Sequence, residues 1–527
     1  MKNELIAKTF QGLEPLLAKE LTELGADDIQ IGRRMVTFTG DKEMMYRANF
    51  CLRTAIRILK PIKRFKARSA DDVYEAVKAI DWSEYLTPQT TFAVDSVVFS
   101  EEFTHSKFVA YKVKDAIADQ FRERTGNRPN VSVANPDIQL HIHISEDDAT
   151  LALDSSGESL HRRGYRQETV AAPLNEVLAA GIIMMTGWHG ECDFIDPMCG
   201  SGTFAIEAAM IACGIMPGVF RKVFAFEKWP DFDKELFESI FDDDSQDREF
   251  NHHIYARDVD AKAVGIALRN VRAAGLNKYI TVEMQDFKDF KKPFGQAIMV
   301  MNPPYGERIS SPDLLGLYKM IGTTLKHEFA GGEAWVLSYR EECFDEIGLK
   351  PSLKTPLYNG SLECELRKYV LFSGRLDEHR AAGGAVKTDE ERRQMADKHR
   401  FKQKREFKRR FDDEEGSEET PRPRRFHEED DERHRFNKFS RREGDGDFRR
   451  FRRDDEGGPR RFRRDDDGED GGFRERRQGG RKPFGKDFRK GDDFGGRSHD
   501  YRPKGGNRAA RQESRRKFFG GGGKRGK

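Results

Sequence analysis

The sequence predicts an α/β domain with a mostly parallel sheet over residues 156–375. Two small α+β units precede it, and a stretch without a core follows. Three observations carry this. From about residue 173 to 372, short apolar runs alternate with helical patterns, as in a β-α-β chain. Before residue 156 the strands are interleaved with amphipathic helices and end in a hairpin pattern. Beyond Val386 there is no Leu, Ile, Val, Cys or Trp, so no hydrophobic core can form there and disorder is expected. The expected divisions are 1–60, 61–155, 156–375 and a tail, 376–527.

In the first unit, Leu5–Phe10 reads as a strand and Leu13–Leu24 as a helix ended by Gly25. Val36–Thr39 alternates as a strand. Asp41 caps a helix through Asn49, and Arg53–Leu59 alternates again. In the second, Ser69-x-x-Asp72 has the form of a capping box. Phe92–Phe99 is a strand, and Lys107–Phe121 an amphipathic helix offering Phe108, Tyr111, Ala118 and Phe121 to the core. Lys107, Lys112 and Lys114 read as a solvated helix face, with phosphate contact as the alternative. Gln139–Ile144 and Thr150–Asp154 form a hairpin. His141 and His143 share one strand face, but no third ligand accompanies them, so they read as packing or surface histidines and no metal is expected.

In the α/β region Pro173 can open a helix running to Met185. Strands follow at Cys192–Asp196, His253–Arg257, Ile280–Glu283, Ala297–Met301 and Ala334–Ser338, with helices at 202–212, 261–274 and 314–329. Leu366–Phe372 is expected to close the sheet as an antiparallel edge. The aromatic stretch 217–241 reads as an insertion.

The near-neutral total of +2 conceals an asymmetry. Residues 1–380 hold 47 Lys+Arg and 58 Asp+Glu, whereas residues 381–527 hold 46 and 33. An acidic body joined to a basic segment points to nucleic acid as a partner. In the tail, Phe448–Asp455 is echoed by Arg461–Asp466. Phenylalanine and arginine there can stack on unpaired bases while cations follow phosphates; a solubilising or self-associating tail is the alternative. Six cysteines without C-x-x-C spacing read as free thiols of a reducing compartment. With no signal-peptide pattern and no membrane-length apolar run, a soluble cytoplasmic protein is expected.

Two stretches carry chemistry. The strand 297–301 ends in Asn302-Pro303-Pro304-Tyr305. Two prolines cannot continue a central strand, so the chain stops in a stiff corner bearing an amide and a ring. Upstream, the strand ending at Asp196 runs into Pro197-Met198-Cys199-Gly200-Ser201-Gly202-Thr203 and then a helix. The glycines allow a tight turn and close approach of a ligand, and the helix start offers free amides. A third glycine and a P-loop are both missing, which disfavours a diphosphate ligand and suits an amino-acid-bearing nucleoside. The next strand ends at Asp258, placed to accept ribose hydroxyls. The one after leads to Asp286 and Phe287, placed to meet an adenine amine and ring face. Asp260 reads as a helix N-cap.

This ordered series (DPMCGSGT, the acidic strand end, QDF and NPPYG) resembles class I S-adenosylmethionine-dependent methyltransferases that act on amino groups. Residues 1–155 resemble a ferredoxin-like segment followed by a THUMP RNA-binding domain. Residues 156–166 and 172–176 are similar to the junction in bacterial 23S rRNA guanine-N2-methyltransferases. The resemblance covers residues 1–375 and implies a Rossmann-like methyltransferase domain, S-adenosylmethionine as cofactor, RNA as partner, and N2 of guanine as the methylated atom. It also implies that Arg163, Tyr165 and Asn175 line the cofactor side, with Glu176 nearby. Some members carry a second fused methyltransferase domain where this chain has its tail, so an activity of that domain is not expected.

An exocyclic amine is a poor nucleophile because its lone pair is delocalised into the ring. The Asn302 side-chain oxygen and the Pro303 carbonyl can accept its two N–H protons, and Tyr305 can stack on the base. The same tetrapeptide serves enzymes acting on adenine N6 or cytosine N4 of DNA and on glutamine amides of proteins. An RNA chaperone or assembly factor acting through the tail is a further alternative.

Overall fold

The computed structural model describes residues 2–372 apart from 294 and 307–312, together with 374 and 381. The expected disordered tail lies outside the described residues, save for residue 381. The first unit comprises β1 (Asn3–Lys8), α1 (Glu14–Glu23), β2 (Asp27–Gly32), β3 (Met35–Gly40), α2 (Lys42–Cys51) and β4 (Arg57–Lys66). The second comprises α3 (Ala70–Lys78), β5 (Thr91–Phe99), α4 (Ser106–Thr125), β6 (Asn130–Val131), β7 (Ile138–Ser145) and β8 (Asp148–Asp154).

The two units share one eight-stranded sheet, ordered β2-β3-β1-β4-β8-β7-β5-β6. β4 crosses the expected division at residue 60 and pairs with both β1 and β8. Pro61 lies within it, at a register shift against β8, the irregularity that a residue without an N–H imposes on a strand. β2 was not expected from the sequence. It is an edge strand whose residues are all exposed or half-buried, so no apolar alternation marks it.

Asp41 caps α2 by accepting from the Met44 amide. Ser69 and Asp72 form the reciprocal capping box. On α4 the buried stripe differs from expectation. Val109, Val113, Ala116, Ile117 and Phe121 face the core, whereas Phe108 and Tyr111 are 50% and 55% exposed. The stripe with i, i+4, i+7, i+8 spacing starts one residue later than the aromatic side chains suggest. His141 is buried within β7, and burial pushes its pKa down to about 3. No metal-binding group of side chains occurs among the described residues.

The third region contains α5 (Glu176–Thr186), β9 (Asp193–Asp196), α6 (Thr203–Ala212), α7 (Lys234–Asp242), β10 (Ile254–Asp258), α8 (Ala261–Ala274), β11 (Ile280–Met284), β12 (Ala297–Met301), α9 (Leu314–Glu328), β13 (Glu333–Ser338), α10 (Glu341–Glu346), β14 (Leu353–Asn359) and β15 (Leu362–Val370). Its seven-stranded sheet runs β11-β10-β9-β12-β13-β15-β14. β9 to β13 are parallel, and β15 is antiparallel to β13. β15 is therefore antiparallel as expected, but it is not the edge. The hairpin partner β14 takes that place, hidden in the sequence by its exposed alternate residues and by Pro356. The chain leaves β9 for β10 on one side and places β12 on the other. That reversal opens a crevice at the carboxyl ends of the strands.

The first unit packs directly on this sheet's helices. A Cβ on Gly181 of α5 would stand 2.7 Å from the Leu13 side chain. The insertion after α6 is also anchored to the first unit. Phe226 stacks on Tyr46 at 4.3 Å, and Phe237 meets Phe50 edge-on. The linker between units two and three lies against the insertion at Gly164. Its φ is +104°, and a Cβ there would stand 2.3 Å from the Phe220 carbonyl oxygen. Gly164→Ala is expected to destabilise the protein by about 2 kcal/mol or more, read as a lower melting temperature by calorimetry. An unchanged melting temperature would show that this crossing yields freely.

Candidate active site

A cavity of about 570 Å³ opens at the carboxyl ends of β9, β10, β11 and β12. The glycine loop forms one wall, with Gly200 and Gly202 at φ +52° and +81°. α6 begins without a side-chain cap, which leaves its first-turn amides for a ligand. Pro197, Cys199, Gly200, Ser201 and Thr203 line the cavity, and Asn302, Pro303, Pro304 and Tyr305 line it as well. Asp258, Asp286 and Phe287 contribute from the ends of β10 and β11.

The Asp258 carboxylate accepts from the Gly200 amide at 2.9 Å and the Asp260 amide at 3.0 Å. It therefore ties the second strand end to the glycine loop. Asp260 caps α8, accepting from the Lys262 amide. Asp196 is buried, and the only group that approaches its carboxylate as a donor among the described residues is the Met198 amide, outside good hydrogen-bond geometry. Burial, reinforced by the nearby Asp258, raises its pKa well above the usual carboxylate range. Burial raises that of Asp258 too. Burial also works against ionisation of Asp286, but its hydrogen bonds and ion pair with Lys288 hold the pKa below the usual value. Phe287 is buried, its ring stacked on Phe329 at 5.7 Å. It is part of a fixed wall. Among the described residues, no Lys or Arg lines this cavity.

The corner is held from below. The Tyr318 hydroxyl lies 3.5 Å from the Pro304 carbonyl and 3.0 Å from Ser338 Oγ. Tyr305 is half-buried, edge-on to Tyr339, and its hydroxyl donates to the Asn302 side-chain oxygen. The ring expected to stack on a base is therefore turned toward the acceptor expected to hold the amine.

Arg163, Tyr165 and Asn175 do not line the cavity. Asn175 caps α5, accepting from the amides of Val177 and Leu178, so that helix starts at Glu176 and not at Pro173. The Arg163 guanidinium is buried, donates to the carbonyls of Leu160 and Arg53, and lies 3.5 Å from Glu207. The Tyr165 hydroxyl donates to Glu207 at 3.0 Å. Both side chains belong to a buried charge cluster beneath α6. Asp196 and Gly202 lie just behind the lining.

Sequence reasoning missed two residues that shape the site. Arg166 donates to Glu176, Ser201 Oγ, Thr203 Oγ1 and the Leu174 carbonyl. It thereby pins segment 170–174, which lines the cavity, to the glycine loop. Asn270, fully buried in α8, accepts from the amides of Gln167 and Glu168 and donates to the Ser201 carbonyl. An asparagine in the apolar stripe of α8 was the available signal. Asn359 and Leu362, from the unexpected β14–β15 hairpin, also line the cavity.

Three family profiles match the chain: an RlmL ferredoxin-like domain over residues 4–59, a THUMP domain over 67–154, and an RMKL-like methyltransferase domain over 163–368. The chain is 39% identical over 369 residues to a provisionally named RNA methyltransferase of Synechocystis sp., slr0064, covering 69% of this chain and 96% of that protein. It is 40% identical to a ribosomal RNA large subunit methyltransferase K/L of Syntrophotalea carbinolica, covering 71% of this chain; it spans about half (54%) of that longer relative. Among solved structures, SMU.472, a provisionally named methyltransferase complexed with SAH, is similar with a TM-score of 0.64 and 32% identity, covering 71% of this chain and 99% of that one.

Proposed function

Because the chain belongs to the RMKL-like RNA methyltransferases with ferredoxin-like and THUMP domains, we propose that it methylates an exocyclic base amine, N2 of a guanine in 23S rRNA, at the Asn302–Tyr305 corner. One observation carries this reading most strongly. A single cavity joins that corner to a glycine loop, with Asp258, Asp260 and Asp286 on its walls and, among the described residues, no Lys or Arg. That donor set fits S-adenosylmethionine, which is cationic at its sulfonium and amine, and it repels a diphosphate. The buried carboxylate of Asp196, approached only by the Met198 amide among the described residues, supports the same fit, since a poorly satisfied buried acid favours a nearby cation.

The amides of the glycine loop and the start of α6 would hold the amino-acid end of the cofactor. Asp258 would offer its remaining lone pairs to the ribose hydroxyls, and Asp286 would meet the adenine amine. Bound there, the cofactor supplies an electrophilic methyl group. The remaining work falls to the corner. The Asn302 oxygen and the Pro303 carbonyl accept the amine's protons and turn its lone pair toward the cavity. Tyr305 first has to release Asn302, after which its ring is free to stack on the base. The base's proton can leave after transfer, so positioning and electrostatics supply most of the rate. A paired base has to be flipped out to reach the corner.

Incubating the full chain with tritiated S-adenosylmethionine and naked 23S rRNA tests this. Label recovered as N2-methylguanosine is expected. Label in duplex DNA or in protein, with none in RNA, would overturn the reading. Asp258→Ala is expected to weaken cofactor binding by roughly 10- to 100-fold, the loss of one or two charge-assisted hydrogen bonds. An unchanged dissociation constant by calorimetry would remove Asp258 from the site.

A further inference from the structure

A second cavity, of about 690 Å³, lies between the residues matched as THUMP and the methyltransferase region. β5 and α4 form one side, segment 131–136 a second, and linker residues 156–164 with the insertion turn 220–228 the third. The insertion is fastened here by Arg221, a buried side chain. It donates to the carbonyls of Ser156, Glu158, Ser159 and Arg162.

The chemistry of this cleft is opposite to that of the first cavity. Among the described residues, six Lys and Arg and two carboxylates line it, in a body whose first 380 residues are net acidic. Both carboxylates are already engaged, Asp95 near Arg57 and Glu158 with Arg162. Lys114 and Lys222 have no hydrogen bond or ion pair among the described residues, and Lys114 lies 5.0 Å from the centre of the Tyr111 ring. Beside these cations stand large apolar side chains open to solvent: Tyr111 at 55%, Val131 at 47%, Val133 at 85% and Val223 at 45%. Lysines without a carboxylate partner, next to an exposed ring and apolar walls, match a strand with free base faces and a phosphate backbone. An A-form duplex would present its phosphates but keep its base faces stacked away from those walls.

We propose that this cleft, completed by residues 220–228 of the insertion, holds an unpaired stretch of the RNA substrate, with bases against Tyr111, Val133 and Val223 and phosphates at Lys114 and Lys222. The proposal rests on the RNA-methylation reading and adds where the strand is gripped. The linker connects the two sites: residues 156–164 line the cleft, residues 170–174 line the cofactor cavity, and Arg166 between them is bonded to the glycine loop. A strand held in the cleft therefore lies against the same segment that frames the methyl-transfer cavity.

The test uses the full chain and a short single-stranded RNA carrying 4-thiouridine, crosslinked by light and mapped by peptide mass spectrometry. Crosslinks are expected in the peptides holding Tyr111, Val131–Val133 or Lys222–Val223. Lys114→Glu/Lys222→Glu should lower their yield roughly tenfold with S-adenosylhomocysteine affinity unchanged. In Lys114→Ala/Lys222→Ala the slope of log affinity against log salt should fall by about 1.4, two single-strand phosphates' worth. Crosslinks confined to residues beyond 386, an unchanged salt slope, or equal competition by duplex RNA would each overturn the proposal. Crosslinks in the cleft without methyl transfer to any RNA would uphold the cleft and sink the methylation reading. Methyl transfer without cleft crosslinks would do the reverse.

Discussion

Asn302→Ala is expected to lower kcat for methyl transfer by about 10²- to 10³-fold or more, with cofactor binding retained. The amide is an acceptor that matters only when an amine is turned toward the methyl donor, so its loss falls on the reacting step. The side chain is also the partner of the Tyr305 hydroxyl, and removing it frees the ring. A kinetic test therefore includes Tyr305→Phe, which keeps a stacking ring and leaves the Asn302 oxygen free for substrate. Tyr305→Phe should retain most of kcat, whereas Asn302→Ala should not. Wild-type turnover by Asn302→Ala, alongside unchanged cofactor binding by calorimetry, would remove the amide from the mechanism.

Glu207→Ala is expected to cost about 3–5 kcal/mol of stability. Glu207 is fully buried in α6, with the Arg163 guanidinium 3.5 Å away and the Tyr165 hydroxyl donating to it. Burial pushes its pKa up, while Arg163 and then Arg53 pull it back. Removing the carboxylate leaves two buried guanidinium groups short of an anion. Arg53 comes from the first unit and donates to the Ile215 carbonyl at 2.8 Å, so the cluster joins that unit to the methyltransferase region. Glu207→Gln keeps an acceptor for Tyr165 and should lose less. A melting temperature for Glu207→Ala within a degree or two of wild type would show that the cluster is not a structural joint.

The glycine loop and the Asn302–Tyr305 corner, which line one cavity, were legible because their chemistry is local. Gly200 and Gly202 have to sit where φ is positive, and two prolines have to end a strand. The strand-end acids Asp258 and Asp286 followed from β-α-β order. What the sequence hid depends on tertiary partners. Arg163 and Tyr165 are attractive near a glycine loop, yet they point into a buried cluster around Glu207, which sits inside an apolar helix with no local mark of its partners. Arg166 and Asn270 act by bridging segments about 35 and 69 residues from Ser201, a role that no spacing announces. β2 and β14 escaped notice because each lies at the edge of its sheet and buries too little of one face to alternate clearly. The role of the 217–241 stretch became readable only once Arg221 and Phe226 were seen gripping the linker and the first unit.

Methylation of an exocyclic guanine amine in large-subunit ribosomal RNA at the Asn302–Tyr305 corner, as proposed, would leave a trace in the cell's own rRNA. Mass spectrometry of nuclease-digested 23S rRNA, from cells with and without the gene, tests it most directly. Loss of one N2-methylguanosine is expected, restored by the wild-type chain and not by Asn302→Ala. An unchanged set of methylated nucleosides, or restoration by Asn302→Ala, would contradict it.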